Sequence, residues 1–255
     1  MQQSTLRILK IGGAILDHLE AFESVCQQFA NWAHPKILVH GGGGRASQLL
    51  EQLNIVPQMH SGRRITDDDT LEVVTMVYAG LLNKKVVGHL QSLGCDALGL
   101  SGADLDSIRA HKRVVKDVDY GWAGDIDTIN TPTLSALLSL NIVPVFCAIT
   151  HNGNGQLLNT NADTIAATLG TAFADHYEVE LHYCFDRPGV LLDKNDDDSV
   201  ISELTHQVYE DYKNQGIIED GMLPKLSNAF DSLSQGVKAV HLGGAFNLGK
   251  GTIIK

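Results

Sequence analysis

Positive charge is scarce in this 255-residue chain: 19 Lys and Arg stand against 30 Asp and Glu, a formal net charge of -11. Phosphate backbones select basic surfaces, so this balance argues against DNA or RNA as a partner. Cysteine is scarce too. The four thiols, Cys26, Cys95, Cys147 and Cys184, are scattered without a C-x-x-C pair. That spacing argues against a disulfide framework or a zinc site, and the thiols read as reduced core residues. No apolar run of signal-peptide length occupies Met1 to Lys10, and no stretch reaches membrane-spanning length. The expected compartment is the cytoplasm, with no membrane partner. Repeats, low-complexity tracts and long linkers are also missing.

What is present is enough apolar sequence, 44%, to bury a core without staples. An acidic chain that handles an anionic ligand must gather its few cations locally. Lysines and arginines beside glycine-rich turns therefore matter most.

Apolar runs at Leu6–Ile11 and Lys36–His40 read as buried strands, each stopped by glycines. Asp17 is a candidate cap for a helix running to about Trp32, and a helix is expected from Arg45 to about Leu53. Thr66 followed by three aspartates marks a helix start, because acids favour the positive end of a helix dipole. That helix carries Val73, Val77 and Leu81 at helical spacing. Residues 107–127, polar and rich in turn formers, read as a β-hairpin insertion. Further helices are expected at Thr131–Leu140, Asn161–Phe173, Leu204–Gln215 and Gly221–Leu233. Further strands are expected at Asp96–Leu100, Ile142–Phe146, Val179–Cys184, Val237–Leu242 and Thr252–Ile254. Strands alternating with helices predict an α/β fold with a mainly parallel sheet and helices on both faces. A soft boundary near residue 175 divides an N-terminal lobe from a C-terminal one.

Two strand–glycine–helix junctions lie close in sequence, Lys10-Ile-Gly-Gly13 and His40-Gly-Gly-Gly-Gly44. Glycine lets the backbone approach a ligand, and a helix start offers free N–H groups to an anion. One such junction is as readily a plain tight turn; two, with a lysine on the strand, favour anion binding. The second junction also matches the dinucleotide fingerprint G-x-G-x-x-A from Gly41 to Ala46, but no strand ending in an acid follows about 20 residues on. A Rossmann-type oxidoreductase is thus a remote alternative. Gly244–Lys250 imitates a phosphate-binding P-loop, yet Gly251 stands where Ser or Thr is required. Asp193–Asp198 imitates a calcium loop, yet Asp198 replaces the needed glycine and Leu204 the closing Glu. No residue is assigned as a protein ligand to a metal. Asn159-Thr-Asn-Ala-Asp163 opens a helix, with Asn161 a candidate cap. Asp220-Gly-Met-Leu-Pro-Lys225 opens another, with a cation oddly near the positive dipole end, a placement that a bound anion would compensate.

Six segments in order resemble the amino acid kinase family: K-x-G-G at Lys10–Gly13, V-H-G-G-G at Val39–Gly43, G-x-R-x-T at Gly62–Thr66, N-x-N-A-D at Asn159–Asp163, D-x-x-G-V at Asp186–Val190 and D-G-M-x-x-K at Asp220–Lys225. Each alone is weak. Together they cover nearly the whole chain and favour the branch acting on N-acylated glutamate over carbamate, aspartate or uridylate kinases.

The resemblance implies a three-layer αβα sandwich with an open sheet, one kinase domain over residues 1–255. Its N-terminal lobe, about 1–175, would take the acylglutamate, and its C-terminal lobe, about 176–255, ATP with Mg²⁺ carried on the nucleotide. It implies that Lys10 and Lys225 stabilise the transferring phosphoryl group and that Asp163 orients them. Gly42, Gly43, Arg64 and Asn159 would bind the acylglutamate. Gly12, Gly13, Asp186, Gly189, Val190, Leu191, Ile217, Ile218 and Glu219 would meet the nucleotide. A catalytically silent amino-acid sensor is a further alternative, against which Lys10, Asp163 and Lys225 argue. The nucleotide loop, Tyr183-Cys-Phe-Asp-Arg-Pro-Gly189, departs from the usual pattern, and Arg187 there reads as solvated.

The implied substrate is N-acetyl-L-glutamate in arginine biosynthesis, with N-succinyl-L-glutamate the alternative; the second carboxylate of a succinyl group would need a cation, for which Arg63, Lys84 and Lys85 are available. Arginine-inhibited relatives carry an extra N-terminal helix. Only Met1 to Thr5 precede the first strand here, so a homodimer without arginine inhibition is expected, with the face around Val73, Val77 and Leu81 a candidate interface beside the plain core reading.

Overall fold

The structure, a computed structural model, describes residues 4–218 and 222–255. Glu219, expected at the nucleotide, lies outside the described residues, as do Asp220 and Gly221 of its motif and residues 1–3 of the short leader. In chain order the first elements are β1 (Thr5–Ile11), α1 (Gly13–Asp17), α2 (Leu19–Ala30), β2 (Lys36–His40), α3 (Gly43–Gln52), β3 (Met59–His60), β4 (Arg63–Arg64), α4 (Asp68–Thr75), a π-helical segment (Met76–Leu82), α5 (Asn83–Ser92) and β5 (Ala97–Leu100). Then come β6 (Ile108–Lys112), β7 (Gly124–Ile129), α6 (Thr131–Ser139), β8 (Val143–Phe146), β9 (Ile149–His151), β10 (Leu157–Asn159), α7 (Ala162–Phe173), β11 (Glu178–Phe185), β12 (Glu203–Leu204), α8 (His206–Asn214), α9 (Leu223–Ser234), β13 (Ala239–Gly244) and β14 (Thr252–Ile254).

β1 and β2 form where the apolar runs predicted them, because both faces of a parallel strand are covered and continuous apolar sequence suits it. Eight strands make the main sheet in the order β12-β14-β13-β11-β1-β2-β8-β5, parallel except where β13 meets β14. From β1 the chain passes to β2, then to the edge strand β5 and back to β8 between them, and later to β11 and β13 on the other side of β1. The strand order therefore reverses between β1 and β11. In open α/β sheets ligands bind at that switch point, outside the carboxyl ends of the strands. Lys10 and Phe185 stand at those ends.

Side chains alternate along the strands. A Cβ on Gly170 of α7 would stand 3.7 Å from Val179 and 4.0 Å from Ile8, so α7 covers the face carrying those residues. The opposite face carries Arg7, Leu9, Glu180 and His182, and Trp32 after α2 packs there, its ring 4.6 Å from that of His182. The four cysteines are free and buried. Residues 107–127 do form the expected hairpin, β6 with β7. β9 and β10 extend it into a separate four-stranded sheet that the sequence did not announce.

One expectation is corrected. Asp17 ends α1 instead of capping a helix; the cap of α2 is His18, whose Nδ1 accepts from the Ala21 N–H. Of the face around Val73, Val77 and Leu81, the two valines are buried, as the plain core reading has it, while Leu81 is exposed beside Met76.

Candidate active site

β1 and β2 each end in a glycine turn, and the two turns lie back to back. The Gly41 N–H donates to the Ile11 carbonyl at 3.2 Å. A Cβ on Gly13 would sit 3.4 Å from Gly42 Cα and Gly43 N. One on Gly42 would sit 2.3 Å from Leu82 Cδ1 and 3.0 Å from Tyr78 Cδ1, both on the π-helical segment. That contact is what requires glycine at position 42.

His40 holds the second turn from below. Its Nδ1 donates to the Gly41 carbonyl at 2.8 Å, which leaves Nε2 to accept from Asn83 Nδ2 at 3.2 Å. Asn83 also donates to the Val145 carbonyl at 2.9 Å. Complete burial pushes His40 down to about 4 from an ordinary value of 6.5, so the folded ring stays neutral while the unfolded ring takes up a proton first. The contribution of His40 to stability is present above pH 6.5 and lost as pH falls towards 4. Urea-unfolding free energy should fall over that window in the native protein, and fall less steeply in His40→Asn. Parallel profiles would refute this.

Around the turns lies a cavity of about 230 Å³ lined by Lys10, Gly13, Gly42, Gly43, Arg63, Arg64, Arg113, Asn159 and Asp163, among others. Lys10 Nζ pairs with Asp163 Oδ1 at 2.7 Å, both partly buried. Asn161 caps α7 as expected, accepting from the N–H groups of Asp163 and Thr164, and so aims the Asp163 side chain at the end of β1. Arg64 is only 8% exposed. Its Nη2 donates to the Gly43 carbonyl at 2.9 Å and to Ser47 Oγ at 2.8 Å, while its buried Nη1 has no hydrogen-bond partner among the described residues. A buried guanidinium with an unused donor is costly unless something anionic meets it. Asn159 Nδ2 donates to Thr66 Oγ1 at 3.0 Å, and the Thr66 carbonyl accepts from the Trp122 N–H, so the β6–β7 hairpin is sewn to the segment carrying Arg64. Arg113, which sequence reasoning missed, enters from that hairpin and is forked onto Asp125 at 3.1 Å. Four of the chain's few cations thus line one cavity beside a single carboxylate among the described residues, Asp163.

A second cavity, about 290 Å³, is lined by Phe185, Asp186, Arg187, Gly189, Val190, Leu191, Lys194, Ile217, Ile218, Met222 and Lys225. Lys225, in the first turn of α9, lies over the Phe185 ring at 4.7 Å. Gly189 is tight: a Cβ would sit 2.8 Å from Val200 Cγ1 and 2.9 Å from Thr252 Oγ1. Thr252 Oγ1 accepts from the Val190 N–H at 2.8 Å, so β14 shapes the loop. Arg187 is half exposed and pairs with Asp197 at 3.3 Å, in keeping with a solvated residue at the cavity rim.

The expected residues therefore divide between two cavities. Lys10, Gly13, Gly42, Gly43, Arg64, Asn159 and Asp163 meet in the first. Asp186, Gly189, Val190, Leu191, Ile217, Ile218 and Lys225 meet in the second. Gly13, expected at the nucleotide, lines the first; Gly12 lies beside Lys10, a Cβ there standing 4.0 Å from its Nζ. Of the three cations considered for a second carboxylate, only Arg63 lines the first cavity. Lys84 Nζ donates to Asn83 Oδ1 at 3.2 Å, and Lys85 Nζ to the Leu16 carbonyl at 3.0 Å.

Known proteins resemble this chain along its length. The profile of the amino acid kinase family matches residues 5–244. An acetylglutamate kinase of Phocaeicola vulgatus is 49% identical over 252 residues, which cover 98% of each chain. One from Carboxydothermus hydrogenoformans is 38% identical, covering 81% of this chain and 72% of its own. Among solved structures, a protein from Streptococcus mutans superimposes with a TM-score of 0.82 at 25% identity, covering 98% of each chain. The Giardia lamblia carbamate kinase bound to AMP-PNP superimposes with a TM-score of 0.67 at 13% identity, covering 100% of this chain and 99% of its own, a likeness of fold alone.

Proposed function

Because the chain belongs to the amino acid kinase family, we propose that its two cavities are the two substrate sites of an acetylglutamate kinase. The enzyme phosphorylates the side-chain carboxylate of N-acetyl-L-glutamate with ATP. The observation that supports this division best is the buried Arg64 with its unused Nη1, in the same cavity as the Lys10–Asp163 pair and the glycine turns. In this reading the N-terminal lobe, about 1–175, holds the acylglutamate, with Arg64 and Asn159 at its α-carboxylate end. The C-terminal lobe, about 176–255, holds ATP in the second cavity.

The chemistry needs no general base, since a carboxylate is already a nucleophile at neutral pH. One of its oxygens bonds to the γ-phosphorus as the bond from that phosphorus to the β–γ bridging oxygen breaks. ADP leaves, and the product is an acyl phosphate. What the protein supplies is alignment of two anions and neutralisation of the charge between them. Lys10 does this from the acylglutamate side and Lys225 from the nucleotide side, Asp163 orients Lys10, and backbone N–H groups of the glycine turns meet the reacting oxygens. Mg²⁺ carried on the nucleotide would add charge neutralisation there. The exposed Met76 and Leu81 are the apolar surface this reading gives a homodimer. No helix among the described residues is long and apolar enough to cross a membrane; a cytoplasmic enzyme fits its use of ATP.

An ATP-consumption assay coupled to ADP release tests the assignment. ATP should be consumed only with N-acetyl-L-glutamate present, and Arg64→Ala should raise its KM with much less effect on kcat. ATP consumption independent of acylglutamate would overturn the reading. N-Succinyl-L-glutamate belongs in the same panel, because Arg63 lines the cavity. A preference for it that collapses in Arg63→Ala would replace acetyl with succinyl as the substrate.

A further inference from the structure

On the sheet face opposite Lys10, toward the other ends of the strands, three side chains converge that phosphoryl transfer does not use. Glu180 and His182 are two apart on β11, so strand alternation puts them on one face. His241 is the register partner of His182 on β13, a neighbouring strand about 4.8 Å away. The two imidazoles stack with centroids 4.2 Å apart and planes within 8°. One ligand atom from each of Glu180, His182 and His241 falls within 4.8 Å of the others.

The hydrogen bonding here is incomplete. His182 Nδ1 and Nε2 and His241 Nδ1 are buried without a partner, half of the six buried side-chain atoms in that condition among the described residues. The His182 side chain is only 7% exposed, and its Nε2 stands 3.8 Å from Glu180 Oε2, beyond hydrogen-bond reach. Arg7 Nε holds the same Oε2 at 2.9 Å, which leaves Oε1 outside that contact. A buried polar atom without a partner is costly, and three on a His–His–Glu group suit an ion.

We propose that Glu180, His182 and His241 form a binding site for a divalent first-row transition metal of the zinc class. Two imidazoles and one carboxylate oxygen make a nitrogen-rich set that suits Zn²⁺ and disfavours Mg²⁺, which takes oxygen ligands. A tetrahedral ion needs ligand atoms about 3.3 Å apart, from bonds of about 2.0–2.1 Å. Closing from within 4.8 Å to that spacing requires ring rotations that open the stack. Water fills the remaining position, and Glu180 and His241 are exposed enough to admit the ion. Arg7 serves as the outer partner that holds the carboxylate. The bound ion ties β11 to β13 on the face away from the reacting groups, so its effect is on stability. The cysteine spacing gave no hint of it, because the ligands come from strands about 60 residues apart.

The test uses the full-length enzyme stripped with a chelator and then titrated with Zn²⁺ against a chromophoric competitor. About one equivalent should bind per chain and raise Tm. His182→Phe and His241→Phe, which keep the ring stack but lose the nitrogens, should each weaken binding by at least about ten-fold. Glu180→Gln should also weaken it while leaving Arg7 an acceptor. Phosphoryl transfer should stay within about two-fold of native in all three, since none meets substrate. Co²⁺ in the native protein should give the visible d–d bands of a four-coordinate site without a thiolate charge-transfer band, a readout that needs no variant. Zn²⁺ binding that is absent from the native protein, or equal in the His182→Phe/His241→Phe double variant, overturns the proposal. So does a thiolate band.

Discussion

Lys10→Ala and Lys225→Ala should each lower kcat by roughly 10²–10³-fold, the cost of removing one preorganised contact to developing charge. The KM values should move much less. The lysines approach from opposite cavities, Lys10 from the end of β1 and Lys225 from the first turn of α9. On the proposed reading each acts most strongly when the phosphoryl group lies between the two substrates. Losing Lys10 also strips Asp163 of its partner at 2.7 Å and leaves a carboxylate facing an anionic substrate. Lys10→Ala should therefore be the more damaging of the two, and a Lys10→Ala/Asp163→Asn double variant should recover part of the loss. Steady-state kinetics with both substrates varied would check this. Near-native turnover in both single variants would remove these residues from the chemistry.

Gly42→Ala should cost activity through geometry instead of charge. A methyl group at that position meets Leu82 Cδ1 at 2.3 Å and the Tyr78 ring at 3.0 Å, and both side chains are themselves buried. The buried Leu82 and Tyr78 side chains, or the glycine turn itself, must shift. Overpacking of this kind typically costs about 1–3 kcal/mol of stability. A turn displaced by about 1 Å carries its N–H groups away from the reacting oxygens, and such a misplacement can cost about 10²-fold in rate. Both losses should appear together, as a lower urea midpoint and a lower kcat/KM. Trimming Leu82 to Ala in the same chain should restore part of each. An active, fully stable Gly42→Ala enzyme would mean that the turn's position is not set by this contact.

Much of the fold could be read from local signals. β1, β2 and β11 are apolar runs ended by glycine or polar turns, and steric and hydrogen-bonding preferences act over those few residues. Asn161 was recognisable as a cap because capping is a contact within one helical turn. Asp17 was misassigned because His18 offers its own acceptor one residue later, where the chain breaks between α1 and α2. β9 and β10 escaped notice because they span only three residues each, too short for alternation to show. Many residues of both cavities were nominated by motif, but the motifs were silent on Arg113 and assigned to the nucleotide Gly13, which lines the first cavity.

By itself the sequence determined the order of strands and helices, the glycine turns after β1 and β2, and the scarcity of cations that makes each one informative. Those properties follow from backbone preferences and composition, which act over a few residues. Only the tertiary structure decided which cations line a cavity. Lys10 finds Asp163 across 153 positions because α7 packs on the face of β1 that carries Lys10. Arg64 is buried with a spare donor beside Gly43 and Ser47 of α3, whereas Lys84 and Lys85, equally charged in sequence, are turned to other acceptors. The cluster of Glu180, His182 and His241 exists only because β11 and β13 pair in one register. Charge and chemistry belong to residues, but distance belongs to the fold, and electrostatic and metal-ligand interactions weaken steeply over a few ångströms.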